Sequence, residues 1–236
     1  MRAGLPFFSK PIFEEAKKEI ALQSVYHPLV ENCVTNDLHL IDKSLLLTGS
    51  NMSGKSTFVK AINLNAIAAQ TLNTSFAEKY KAPIFAIFSS IKIEDDIDSG
   101  SSYFLEEVAS IGEMMEKSNS DDTQYLFTID EVFKGTNTIE RVSAAKAILS
   151  YLNRKNHLVL VSTHDIELTS FLQEEYDLYY FQESVANENL TFDYQLKQGE
   201  LKEKNAIKIL ELAGYPKSVV EEAKILADKI EHKKQQ

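Results

Sequence analysis

At 236 residues, with 44% hydrophobic and 25% charged residues, the chain has the make-up of one large globular domain, or one domain with a small appendage. A net charge of −10 and a pI near 5.1, with a dense basic stretch only at Lys229–Lys234, argue against tight nucleic-acid binding by this surface alone. No apolar run approaches the ~18 residues of a membrane span, the opening MRAGLPFFSKP lacks a signal-like apolar core, and the lone Cys33 has no internal disulfide partner, so a reducing, cytoplasmic setting with no membrane partner is expected.

Taken in order, Ile12–Leu22 reads as a short charged helix, and Pro28 breaks the chain after it. Leu38–Ile41 is a short alternating stretch ahead of an apolar strand, Leu45–Leu47. The spacing of Phe58, Ile62 and Ala66 predicts a helix from about Gly54 to Gln70. Pro83 follows, then a buried-type strand, Ile84–Phe88, and a polar loop, Lys92–Ser102. Tyr103–Lys117 is a helical pattern, Ser118–Asp122 a turn, and Tyr125–Ile129 a strand that ends on Asp130 and Glu131. A helix from about Asn137 to Asn153, a strand Leu158–Ser162 and a helix from about Asp165 to Glu174 come next. Leu178–Glu183 and Leu190–Leu196 are expected to pair antiparallel through Asn187–Asn189. Lys204–Ala213 and Pro216–Lys229 form a terminal helix pair around Gly214. The recurring strand-loop-helix order predicts an α/β fold, a mostly parallel sheet with helices on both faces.

Between the Leu45–Leu47 strand and its helix, Gly49-Ser50-Asn51-Met52-Ser53-Gly54-Lys55-Ser56 fits G-x-x-x-x-G-K-[ST] without a mismatch, with Thr57 next. Gly49 and Gly54 let the backbone curl so that successive N–H groups point inward at an anion, and the helix adds its positive N-terminal end. Lys55 reaches β- and γ-phosphates, and the Ser56 hydroxyl takes a place on Mg²⁺. The loop is therefore expected to bind a nucleotide, which makes the fold a P-loop NTPase.

Such chemistry needs an apolar strand that delivers acids to the same sheet edge, and Tyr125–Ile129 followed by Asp130 and Glu131 does so. Asp130 is the candidate Mg²⁺ carboxylate, and Glu131 the group that polarises the attacking water. The plainer reading, that Asp-Glu caps the next helix, is weaker beside an intact phosphate loop. His164 stands at the tip of the next buried strand, where it can sense or hydrogen-bond the γ-phosphate, and is taken as functional rather than as a neighbour of a helix cap.

These residues together resemble the ATPase domain of MutS-type mismatch-repair proteins, which belong to the ABC-type ATPases. Thr48–Thr57 is similar to that family's T-G-P-N-M-G-G-K-S-T, and Asp95–Glu107 to D-D-L-x-x-G-x-S-T-F-x-x-E. Asp130–Thr138 is similar to D-E-I-G-R-G-T-S-T, Ser162–Thr169 to A-T-H-Y-x-E-L-T, and His27–Glu31 with Asn36-Asp37 to H-P-V-V-E…N-D. Leu212–Pro216 is similar to the L-A-G-x-P of the terminal helix pair, so the resemblance covers roughly residues 22–230.

The resemblance implies ATP and Mg²⁺ as cofactors, ATP hydrolysis, and a homodimer formed through this domain. Ser102 would meet the γ-phosphate of the opposite subunit, Gly135–Thr138 would cross the interface, and His164 would be the switch histidine. Val34 would flank the adenine, and Tyr194 would stack on its other side, although Tyr194 also reads as a strand aromatic covering the core. Residues 1–21 are expected as a helical or connecting segment, 22–200 as the ATPase domain and 201–236 as a helix-turn-helix dimerisation element. DNA is expected to be held mainly by regions outside this chain. Departures from the pattern are Ser50 and Ser53 for Pro and Gly, and Phe133-Lys134 for Gly-Arg. Two other readings stay open: a nucleotide-gated dimerisation module with little hydrolysis, and a divergent member with a different DNA task. A transporter-type ATPase is disfavoured, since S-G-S-S-Y-F stands where an L-S-G-G-Q signature belongs.

Overall fold

The computed structural model describes residues 7–234, apart from 16, 51, 92–102, 121, 134–135, 187–188 and 202–204. Its first elements are strands β1 (Ile12–Phe13), β2 (Glu19–Val25), β3 (Asn36–Ile41) and β4 (Ser44–Thr48), followed by helix α1 (Lys55–Leu72). Strands β5 (Lys79–Ala82) and β6 (Ala86–Ser90) come next, then α2 (Tyr103–Lys117), β7 (Tyr125–Asp130), α3 (Thr138–Leu152) and β8 (Leu158–Thr163). The chain continues through α4 (Glu167–Leu172), β9 (Tyr176–Tyr180), β10 (Glu183–Ala186), β11 (Asn189–Phe192) and β12 (Lys197–Gln198). Helices α5 (Ala206–Leu212) and α6 (Lys217–Lys234) close it.

A six-stranded sheet in the order β12-β9-β4-β8-β7-β6 forms the centre, parallel throughout except for β12 on its edge. Strands β4 and β8 are buried on both faces, which is why LLL and LVLV are unbroken apolar runs. On one face Leu45, Leu47, Leu158 and Leu160 pack with Phe58, Val59, Ile62 and Ala66 of α1. On the other, Leu46, Val159 and Val161 pack with side chains of α2, α3 and α4, among them Met114, Leu149 and Leu168. The sheet is thus flanked by helices on both faces, with the two apolar layers drawn from alternate residues of the same strands.

The helix expected over Ile12–Leu22 is not formed: β1 and β2 replace it, in a second sheet of order β1-β5-β2-β3. The charged residues suit a helix, but Ile20, Leu22 and Val25 are buried against the α1 layer, and β2 pairs antiparallel with both β3 and β5. Tertiary pairing overrides local propensity here, and the division expected at residue 21 falls inside β2. Strand β5 was not anticipated; its inward residues are Tyr80 and Ala82.

The antiparallel pair expected from Leu178–Glu183 and Leu190–Leu196 is also revised. Tyr176–Tyr180 joins the large sheet parallel to β4, with the buried Tyr176 hydroxyl donating to the Leu149 carbonyl at 2.8 Å. The hairpin is formed further on, Glu183–Ala186 against Asn189–Phe192. At the C-terminal end, α5 and α6 turn about Gly214, whose φ of 76° favours glycine.

Candidate functional site

The 49–56 loop leaves β4 at the head of the large sheet. Gly49 lies so close to the chain after β9 that a Cβ there would stand 2.8 Å from the Phe181 carbonyl oxygen. Gly54 takes φ 104° and ψ 2° and starts α1 with no side-chain cap and no acid in its first turn. Uncapped N–H groups and the positive end of the helix dipole therefore lie at a cavity wall lined by Gly54, Lys55, Ser56 and Thr57. The Lys55 ammonium, buried, donates to the Gly49 and Ser50 carbonyls, each at 2.9 Å. Both serines that depart from the family pattern brace the loop: Ser53 Oγ donates to the Ser50 carbonyl at 2.8 Å, and Ser50 Oγ to the buried Glu183 carboxylate at 2.6 Å. Met52 is exposed with φ 68°; Asn51 lies outside the described residues.

Strands β7 and β8 end side by side, with Asp130 opposite Ser162 in register. The Ser162 hydroxyl donates to the Asp130 carboxylate, and the Glu131 amide donates to the Ser162 carbonyl at 2.8 Å. Glu131 adopts left-handed backbone, φ 66°, which turns its side chain into the cavity, where its Oε1 is 2.8 Å from His164 Nε2. The same Nε2 is 3.3 Å from Lys55 Nζ. A single ring nitrogen cannot give a proton to Glu131 and take one from Lys55 at once, so His164 stands between two mutually exclusive partners. Ser56 lines the cavity, whereas Asp130, one residue behind Glu131, does not. Among the described residues no group of three or more His, Cys, Asp or Glu side chains converges to hold a metal ion unaided.

Behind His164, Arg141 of α3 grips Asp165 through two contacts of 2.7 and 2.6 Å and also donates to the Thr136 carbonyl at 3.0 Å. Phe133, also left-handed at φ 53°, donates its amide to the buried Glu107 carboxylate and packs on Phe104 at 5.5 Å. Ser102 and Gly135 lie outside the described residues.

The cavity, about 510 Å³, continues from the loop to the β2–β3 connection, where Val34 and Tyr194 both line it. Tyr194 is 44% exposed and faces the cavity instead of covering the core; its ring stacks on Phe192 at 5.8 Å. His27, also in the wall, is pushed towards its neutral form by burial and by the charge of Lys60. Lys55, Glu131 and His164, picked from motifs, thus meet at one end, and Val34 and Tyr194 at the other. Glu183, Arg141 with Asp165, and Asn36 were not singled out as site residues; of these Asp165 and Asn36 lay in quoted motifs.

Fold and site define a mixed α/β domain with a glycine-bounded loop, a Glu–His pair and an elongated cavity at the head of a mostly parallel sheet. The family described as MutS domain V matches residues 45–231, and the chain belongs to the MutS family. It is 34% identical to the DNA mismatch repair protein MutS of Petrotoga mobilis over 96% of this chain and 28% of that protein. Identity to the same-named protein of Listeria monocytogenes is 35% over 87% of this chain and 25% of that one. For Thermus thermophilus the figures are 30%, 93% and 27%. The chain thus spans about a quarter of the length of these relatives. No helix among the described residues is long and apolar enough to cross a membrane.

Proposed function

We propose that the chain is the ATP-binding and ATP-hydrolysing domain of a MutS-type DNA mismatch-repair protein, a P-loop NTPase of the ABC type. What carries the reading is the convergence, in one cavity, of the uncapped start of α1, the Lys55 ammonium and the Glu131–His164 pair. The backbone N–H groups of residues 49–57 cradle the phosphates, and Lys55 exchanges its two loop carbonyls for phosphate oxygens. Ser56 and Asp130 are hard oxygen donors suited to Mg²⁺; when bound, the ion neutralises developing charge on the phosphates. Glu131 accepts a proton from the attacking water, and His164, released from Glu131, hydrogen-bonds the γ-phosphate. The purine lies between Val34 and Tyr194.

The family resemblance extends this to a dimer. Ser102 and the 135–138 loop act on the partner's site, the ATPase unit runs to about residue 200 and takes in the whole of β2, and the α5–α6 pair within 201–236 joins two copies. DNA is held mainly by regions outside the chain, in the cytoplasm.

Steady-state hydrolysis and nucleotide titration test the core of the proposal. Lys55→Ala should lower ATP affinity at least 100-fold. Glu131→Gln should leave affinity within a few-fold and cut turnover by ~10²–10⁴, the usual share of a general base. Unchanged ATP affinity in Lys55→Ala would overturn the site, and wild-type turnover in Glu131→Gln would place the base elsewhere.

A further inference from the structure

We propose that Asn36 is a positioning residue that sets the base-binding end of the cleft by fixing both of its walls from one side chain. The inference rests on the nucleotide-site reading and concerns that same cavity. Asn36 opens β3 opposite Val25, next to the irregularity in the β2–β3 ladder, and only 8% of it is exposed. Its amide reaches a chain segment some 160 residues away. Nδ2 donates to the Tyr194 carbonyl at 3.0 Å, and Oδ1 accepts from the Leu196 amide at 2.6 Å. These two bonds straddle residue 195 as a neighbouring strand would, so one side chain replaces a rung of backbone pairing. Nδ2 also lies 3.5 Å from the Val34 carbonyl, on the opposite wall.

The grip matters because of the conformation it holds. Tyr194 has φ 52°, unfavourable for an aromatic residue outside a tight turn. From within, the turn is closed by Asp193, whose carboxylate accepts from the Gln195 amide at 3.0 Å and pairs with Lys197 at 2.8 Å. From outside, Asn36 anchors it to β3. The Tyr194 ring is thereby set beside the start of α1, where a Cβ on Gly54 would stand 3.2 Å from Cδ1. With the Tyr194 carbonyl and the Leu196 amide held, the backbone that carries the ring cannot move away from β3 unless the Asn36 bonds break. Among the described residues Asn36 has its hydrogen bonds with Val34, Tyr194 and Leu196 and none with the phosphate loop or the Glu131–His164 pair, so its influence is expected on the base more than on the phosphates.

The test compares two ligands, ATP and inorganic tripolyphosphate, which has the phosphates and no base. Asn36→Ala should weaken ATP binding at least tenfold while tripolyphosphate affinity stays within twofold and the melting temperature shows a folded protein. Tyr194→Ala should show the same split. Asn36→Asp keeps the shape and the Oδ1 acceptor but loses the donor to Tyr194; it serves if the alanine variant does not fold, and is expected to weaken ATP alone. Adding Tyr194→Ala to Asn36→Asp should bring little further loss, because Asn36 acts through Tyr194. Equal weakening of both ligands would make Asn36 a general structural residue, and loss of neither would remove it from the site; either result overturns the proposal. A wild-type chain that binds tripolyphosphate and ATP equally would overturn the base-end assignment while sparing the phosphate loop. Binding neither would overturn the nucleotide site itself.

Discussion

Gly49 and Glu131 show what single backbone positions contribute to the site. Gly49, at φ 151°, admits the Phe181 carbonyl to a distance that a Cβ would forbid, and this contact seats the loop against the chain leaving β9. Gly49→Ala is therefore expected to lower unfolding stability by about 1–3 kcal/mol, through strain and displaced backbone. It should also weaken ATP binding, and urea unfolding beside nucleotide titration checks both. An unchanged midpoint would mean that the loop relaxes without loss. Glu131 carries the opposite burden, a side chain held in left-handed backbone where its carboxylate is needed. The motif residues were legible because their spacing is local: four residues separate Gly49 from Gly54, and Asp130 and Glu131 follow a strand directly. Ser50–Glu183 and Asn36–Leu196 were not, since those partners lie 133 and 160 residues apart. No periodicity or spacing encodes such a pair.

Among the elements, α3 was readable to within a residue at each end, and its caps explain why. The Asn137 side chain accepts from the Glu140 amide at 3.0 Å, and Asn153 closes the other end. Helices α1 and α2 carried clear apolar spacing, whereas β2 was misread because its pairing with β3 and β5 outweighs its charged, helix-compatible composition. That strand brings in Lys18, whose buried ammonium donates to the Asn153 carbonyl and side chain at 3.1 and 2.6 Å. Burial pulls the Lys18 pKa down to about 8, against the opposing pull of Asp42 and Glu175. The folded value is depressed, so below pH 8 the ammonium is charged in both states and its desolvation opposes folding. Between about pH 8 and 10.5 the unfolded chain binds the extra proton, and stability rises with pH by up to ~3 kcal/mol from this group. Lys18→Met should remove that increment. Chemical denaturation of both proteins at pH 7.5 and 10 measures it, and an identical pH response would contradict the shift.

At the scale of the whole molecule, the proposed dimer predicts that each site takes its loop and Glu131 from one chain and Ser102 from the other. Ser102→Ala and Glu131→Gln should each be nearly inactive alone. Mixed, each heterodimer holds one site with both defects and one with neither, so activity should return to roughly a quarter of wild type with random pairing. The assay needs chain concentrations high enough to populate the dimer. No recovery, with dimers confirmed by light scattering, would show that Ser102 does not act across chains. One further consequence lies in where the cavity sits. Its base end is built on the β2–β3 connection of the small sheet, and its phosphate end on the heads of β4, β7 and β8 of the large one. A nucleotide bound as proposed would touch both sheets, adding to the contacts that β3 already makes with β4 and to the apolar layer that both sheets share with α1. On that reading triphosphate alone would grip the large sheet and the base would add the small one, so the whole nucleotide should raise the melting temperature more than tripolyphosphate at equal free concentration.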